Sequence, residues 1–145
     1  RLHDPKELRV EEGDRMRLEL GTGRARVRLD LDDESTWPIL DTGATGTYLP
    51  AERLGLDFHS EQEGTWSASG KDPHQTRTLR YYAASDPVLA QTAGPEDLFV
   101  LDRPRRWDDG LVGMSLIQHY TLTLDYRRRR CQAEAVDEPV ELPTR

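Results

Sequence analysis

The chemistry in this chain is concentrated where an apolar run drives straight into an acid. Pro38-Ile39-Leu40 leads into Asp41, which is followed by Thr42, Gly43 and Ala44. An unpaired charge carried into an interior is very costly, so a carboxylate at such a place either does chemistry or is held by donors. Thr42 offers a hydroxyl, and Gly43 a backbone N–H that no side chain screens. The order predicts a carboxylate fixed at a tight turn on top of a strand, equipped to take or give a proton. The bland reading of the same residues is a structural acid that caps its own turn through the backbone.

A second informative stretch lies downstream. Asp109-Gly110-Leu111-Val112-Gly113-Met114-Ser115-Leu116-Ile117 combines an apolar pair, a glycine and a short helical segment. Tyr120-Thr121-Leu122-Thr123-Leu124-Asp125-Tyr126 then alternates as a strand, with Leu122, Leu124 and Tyr126 on one face. Taken with Ile39-Leu40-Asp41-Thr42-Gly43-Ala44, these segments resemble the retropepsin-like (retroviral-type) aspartic proteases, in their bacterial single-domain form. The resemblance spans roughly residues 24 to 135.

It implies a mainly β fold: a retropepsin-like acid-protease β-barrel with one short C-terminal helix and one half-site per chain. In that family two carboxylates share a proton and hold a water between them. One acts as base on the water while the other donates to the scissile carbonyl oxygen. Two acids so close cannot both ionise, and they titrate as a unit. Asp-Thr-Gly occurs once here, and the nearest second match, Asp108-Asp109-Gly110, lacks the hydroxyl residue and the apolar lead-in. An enzyme would therefore be a two-fold homodimer in which Asp41 meets its symmetry mate. The resemblance implies supporting roles as well. Thr42 would hydrogen-bond across the dimer beneath the acids, Gly43 would let backbone approach the carboxylate, and Leu111, Val112 and Gly113 would pack behind the Asp41 loop. Residues 64 to 78 would form a flap over an extended peptide, with Trp66, Ser67, Ala68, Ser69 and Gly70 as substrate contacts. Trp66 fits equally as an aromatic packed under a loop. The activated water is the nucleophile, so no cofactor is expected. The rival expectation is a catalytically silent dimerisation or peptide-binding module on the same fold.

The elements that must position these residues are short strands. Met16, Leu18 and Leu20 alternate with charged residues, as do Ala25, Val27, Leu29 and Leu31. Gly21-Thr22-Gly23 turns between them, Asp32 to Ser35 turns again, and Trp37 to Leu40 returns into Asp41. Pro50 to Gly55 reads as one helical turn, Pro first and Gly last. Leu79–Ala84 and Leu98–Leu101 are further strands, with Pro87 and Pro95 bracketing a connection. Met114 to His119 is a short helix, and Cys131, Ala133 and Ala135 pair back on the preceding strand across the arginine run 127–130. Residues 1–14 read as an arm, 15–136 as the domain and 137–145 as a tail.

Composition narrows the classes. The chain has 145 residues, enough for one domain with a core. A net charge of −7 argues against a general nucleic-acid binder, which is normally basic. Arg127 to Arg130 then reads as a solvated hairpin face. The single cysteine, Cys131, excludes an intrachain disulfide and reads as a small apolar residue. His3, His59, His74 and His119 show no metal-ligand spacing, and Asp108 and Asp109 read as solvated loop acids. No run reaches membrane-spanning length. The chain begins at Arg1, so the expectation is a trimmed soluble domain, cytoplasmic or tethered to the cell envelope by an upstream segment.

Overall fold

In a computed structural model, which describes residues 13–65, 76–104 and 107–137, the alternation around Met16 becomes β1 (Asp14–Leu18). The strand stops short of Leu20, which is 97% exposed, because the chain turns back with Gly23 N–H on the Glu19 carbonyl. The single strand expected over 24–31 is two, β2 (Ala25–Val27) and β3 (Leu29–Leu31). Arg28 is the crossover: β2 pairs with β1, while β3 pairs with β4 (Glu34–Thr36) in a different sheet. Only Asp32 and Asp33 turn, so the expected loop to Ser35 is tighter than its composition suggests. β5 is reduced to Ile39–Leu40, since Pro38 has no N–H to give to a ladder.

β6 (Tyr48–Leu49) follows the Asp41 loop, and Pro50–Gly55 forms one α-type turn with Leu54 N–H on the Pro50 carbonyl. β7 (Asp57–Thr65) and β8 (Thr76–Ser85) form a long antiparallel hairpin. The stretch between Pro87 and Pro95 is a small hairpin of its own, β9 (Val88–Leu89) and β10 (Thr92–Ala93). Its two turn residues, Ala90 and Gln91, both have positive φ, as a primed two-residue turn requires. β11 (Asp97–Asp102), β12 (Leu111–Val112), the one-turn helix α1 (Met114–Ile117), β13 (Tyr120–Asp125) and β14 (Arg130–Ala135) complete the chain. Among the described residues the fold is mainly β with a single short helix.

The large sheet runs β13-β14-β1-β2-β5-β12-β6-β11-β8-β7, and the small one β10-β9-β3-β4. The closed barrel expected from the sequence is not formed by hydrogen bonding among the described residues: β13 and β7 are open edges, with no strand joining them. Among the described residues, no helix is long and apolar enough to cross a membrane. The core gathers Val27, Leu29, Leu49, Leu89, Val100, Val112 and Leu116, all fully buried. Cys131 is fully buried too, as its strand position implied.

Two buried groups of this core make stability sensitive to alkali. Burial pushes the Tyr120 phenol, which donates to the Thr92 carbonyl at 3.1 Å, up to about 12. Burial, reinforced by the nearby Asp14 charge, pushes the Cys131 thiol up to about 11. Folding favours the neutral form of both. Their stabilisation is therefore complete below the ordinary values of 9.0 and 10.0 and is lost as pH climbs through the raised ones. The urea midpoint should hold to about pH 9 and fall steadily towards pH 12. Tyr120→Phe should flatten the upper part of that fall.

Candidate active site

β5 is a central strand, paired with β2 on one side and parallel to β12 on the other. The parallel ladder runs one residue past β5, because Asp41 N–H donates to the Val112 carbonyl at 2.9 Å. The acid thus leaves the ladder at a fixed height and direction. The chain turns at once: Ala44 N–H reaches the Asp41 carbonyl at 3.2 Å, and Gly43 N–H donates to Asp41 Oδ1 at 2.9 Å. A Cβ on residue 43 would sit 3.2 Å from that oxygen, so glycine permits the close approach. Among the described residues, Oδ2 accepts no hydrogen bond. Asp41 is half-buried, while Thr42 and Gly43 are exposed.

The loop that follows, residues 44–47, is clamped from behind. Leu111 and Val112 are buried, and Leu111 pairs with both Ile39 and Tyr48. Gly113 lies directly under the loop, where any Cβ would run into the Gly46 carbonyl. Met114 and Ser115 N–H donate to the Ala44 and Thr45 carbonyls at 2.8 and 2.9 Å. Thr47 is 1% exposed and closes the clamp. Its hydroxyl accepts from Gly113 N–H at 3.2 Å and meets Ser115 Oγ at 2.7 Å. The signal for it was present: Thr47 shares the inward parity of Leu49, and an inward hydroxyl must find partners.

No protein-family model and no curated protein sequence matches the chain. The site is therefore read from its own geometry. Ala44, Leu111, Val112 and Gly113 all come together around Asp41, Thr42 and Gly43, whereas Trp66, Ser67, Ala68, Ser69 and Gly70 lie outside the described residues. The hairpin stems that lead to those five residues are present as β7 and β8.

Asp109 corrects one expectation. It is not merely a solvated loop acid, for its carboxylate pairs with Arg53 Nη2 at 2.7 Å and its carbonyl accepts from Thr36 Oγ1 at 2.9 Å. Arg53 also donates to Thr36 Oγ1, so three segments distant in sequence fix the approach to β12. Residues this far apart give no local pattern, which is why the sequence alone missed them. Among the described residues, no group of three or more His, Cys, Asp or Glu side chains is placed to hold a metal ion.

Two clefts border this part of the chain. Thr42 lines one of about 370 Å³ with Leu40, Ile117, Leu122, Leu124 and Tyr126. Tyr48 and Leu101 line the other, of about 360 Å³. The Asp41 turn can present one carboxylate, with the Gly43 N–H donating to it and a cleft lined by Leu40, Ile117, Leu122 and Leu124 beside it.

Proposed function

We propose that the chain is an aspartic endopeptidase of the retropepsin-like type, active as a homodimer in which the Asp41 carboxylates of two copies activate one water. The observation that carries this reading is the seating of the Asp41 turn. A parallel β5–β12 pair delivers the acid, Gly113 and Thr47 hold its loop from behind, and Thr42 emerges exposed beside it. A simple turn cap needs none of that apparatus. The retropepsin-like assignment of the fold belongs to the same reading. It rests on the β5–β12–β6 arrangement with α1 behind it, rather than on a closed strand order.

Two features support a second copy. β13 is a sheet edge, and unpaired edges invite another strand. Its Leu122 and Leu124, with Tyr126 just beyond, line the apolar cleft that Thr42 shares. A two-fold axis at this edge would set the same surface of each copy against the other, and the Asp41 turn, whose Thr42 shares the cleft, would lie near that axis. One carboxylate then takes a proton from water as its oxygen attacks the scissile carbonyl carbon. The other gives its proton to the carbonyl oxygen, and the collapse of that intermediate breaks the C–N bond with a proton passing to the amine. Peptide would bind extended between the Asp41 turns and the β7–β8 hairpin, by strand-like backbone hydrogen bonds.

The dependence on a second copy is testable by dilution. The cleavage rate of a peptide mixture should fall with the square of chain concentration below the dimer dissociation constant and linearly above it. Tyr126, 52% exposed, tolerates a charge in a single copy but not in a closed interface. Tyr126→Glu should raise the dissociation constant at least about tenfold, a cost of roughly 1.4 kcal/mol, read by sedimentation equilibrium. It should lower cleavage correspondingly, with recovery at high concentration. A rate linear in concentration at dilutions where sedimentation finds only single copies would remove the dimer mechanism.

A further inference from the structure

The second cleft, lined by Tyr48 where the Asp41 loop ends, has chemistry of its own. A Cβ at Gly46 would stand 3.5 Å from Leu101 Cδ1 and 3.7 Å from the Tyr48 ring. The loop that carries Asp41 is therefore in direct reach of this cleft's wall. Thr78, Arg80 and Tyr82 line it from one face of β8 at the two-residue period of a strand. Arg103 lines it from just beyond β11. Aromatic and apolar residues (Tyr48, Tyr82, Leu79, Leu101) share the walls with two arginines and one acid, the half-exposed Asp102, so cations outnumber anions at this cleft in a chain whose net charge is −7.

Among the described residues, neither arginine has a strong carboxylate partner. Arg103, with a side chain 25% exposed, is anchored through Nε on the Asp108 carbonyl at 3.0 Å. Among the described residues its nearest carboxylate oxygen, Asp102 Oδ1, is 3.9 Å from Nη1, beyond hydrogen-bond length, and that oxygen already accepts from Ala51 N–H. Arg80 pairs across the hairpin with Glu61 at 3.3 Å, but both side chains are more than half exposed. Such a pair is worth little and yields readily to a better acceptor. Arginine matches a carboxylate through paired, charge-assisted hydrogen bonds.

We propose that this cleft is a specificity pocket for an acidic side chain of the bound peptide, glutamate above all. Its methylenes would lie on Tyr82 and Leu101, and its carboxylate would take the terminal nitrogens of Arg103 and Arg80. The inference rests on the peptidase reading for the peptide's path past Asp41. Its own basis is the pairing of aromatic and apolar walls with two weakly paired arginines against a single acid, Asp102.

The test is a set of octapeptides that carry glutamate or glutamine at one position at a time, cleaved by the wild-type chain. At one position the glutamate peptide should exceed its glutamine partner in kcat/KM by at least about tenfold, less so as salt rises. In Arg80→Gln and Arg103→Gln that ratio should fall towards one. A ratio is unaffected by partial unfolding, since both peptides meet the same folded fraction. The same pairs are titrated against Asp41→Asn by fluorescence anisotropy. A chain that cleaves nothing but binds the glutamate peptide preferentially would sink the peptidase reading and leave the pocket standing. Equal handling of glutamate and glutamine at every position, in cleavage and in binding, would overturn the proposal, as would a preference that survives both arginine substitutions.

Discussion

Asp41→Asn should leave a folded chain that assembles as the wild type does and no longer cuts peptides. The substitution is nearly isosteric, and the amide oxygen can still accept from Gly43 N–H, the hydrogen bond that holds the Asp41 side chain among the described residues. Melting temperature and sedimentation should therefore barely move. Cleavage, by contrast, loses both the base and the acid at once. A single positioned proton-transfer group is worth about 10²–10⁴-fold, so the fall should exceed about 10³-fold at every pH. The symmetric mechanism adds a sharper expectation. Each active unit takes one Asp41 from each copy, so equal mixing of wild type and Asp41→Asn, with free exchange, should cut activity per wild-type chain to about half. A monomeric enzyme would keep it whole. Cleavage by the substituted chain at the wild-type rate would assign the activity to a contaminant or to other residues. Undiminished peptide binding with no cleavage by either chain would favour a binding module.

What the sequence made legible was whatever depends on neighbours along the chain. The apolar lead-in to Asp41, the helical turn at Pro50 and the arginine turn between β13 and β14 follow local rules of period and turn chemistry, and each is present. Strand boundaries were less legible. Arg28 looks like one more outward residue in an unbroken alternation, yet it is where the chain changes sheets. Partner choice between sheets leaves no mark on the period of two. At the site, the acid and the glycine beneath its loop were readable as residue types. The clamp was not, since Thr47 and Ser115 meet across 68 residues and Arg53 and Asp109 across 56. Such contacts exist only once the parallel β5–β12 pair has formed. That pair joins segments whose order in the chain says nothing of their register.

Gly113→Ala puts that clamp to the test with the smallest possible change. The glycine has φ −105° and ψ −168°, extended backbone open to any residue, so the obstacle is space rather than strain. The added methyl would strike the Gly46 carbonyl and come within 2.7 Å of the Ala44 carbonyl. Both are backbone atoms, which no rotamer change can clear. Relief would have to lift the loop away from α1. That helix has no side-chain cap, and its first N–H groups rely on the Ala44 and Thr45 carbonyls, as the Gly113 N–H relies on Thr47. Overpacking typically costs about 1–3 kcal/mol, and each backbone hydrogen bond lost adds about 1 kcal/mol. A loss near 4 kcal/mol in urea unfolding is expected, a large share of a domain's stability. Misplacing a reacting group by about 1 Å costs roughly 10²-fold in rate, so cleavage should fall at least that far even at temperatures where the chain stays folded. Gly55→Ala supplies the comparison. Its φ of +64° strains an alanine, but nothing lies within 4 Å of the new methyl, so stability should drop by about 1 kcal/mol while the rate per folded chain holds. Equal rates per folded chain in both variants would mean that the Asp41 loop is not set from behind. A selective loss in Gly113→Ala would locate the control of the acid's position in the contact between β12 and the loop.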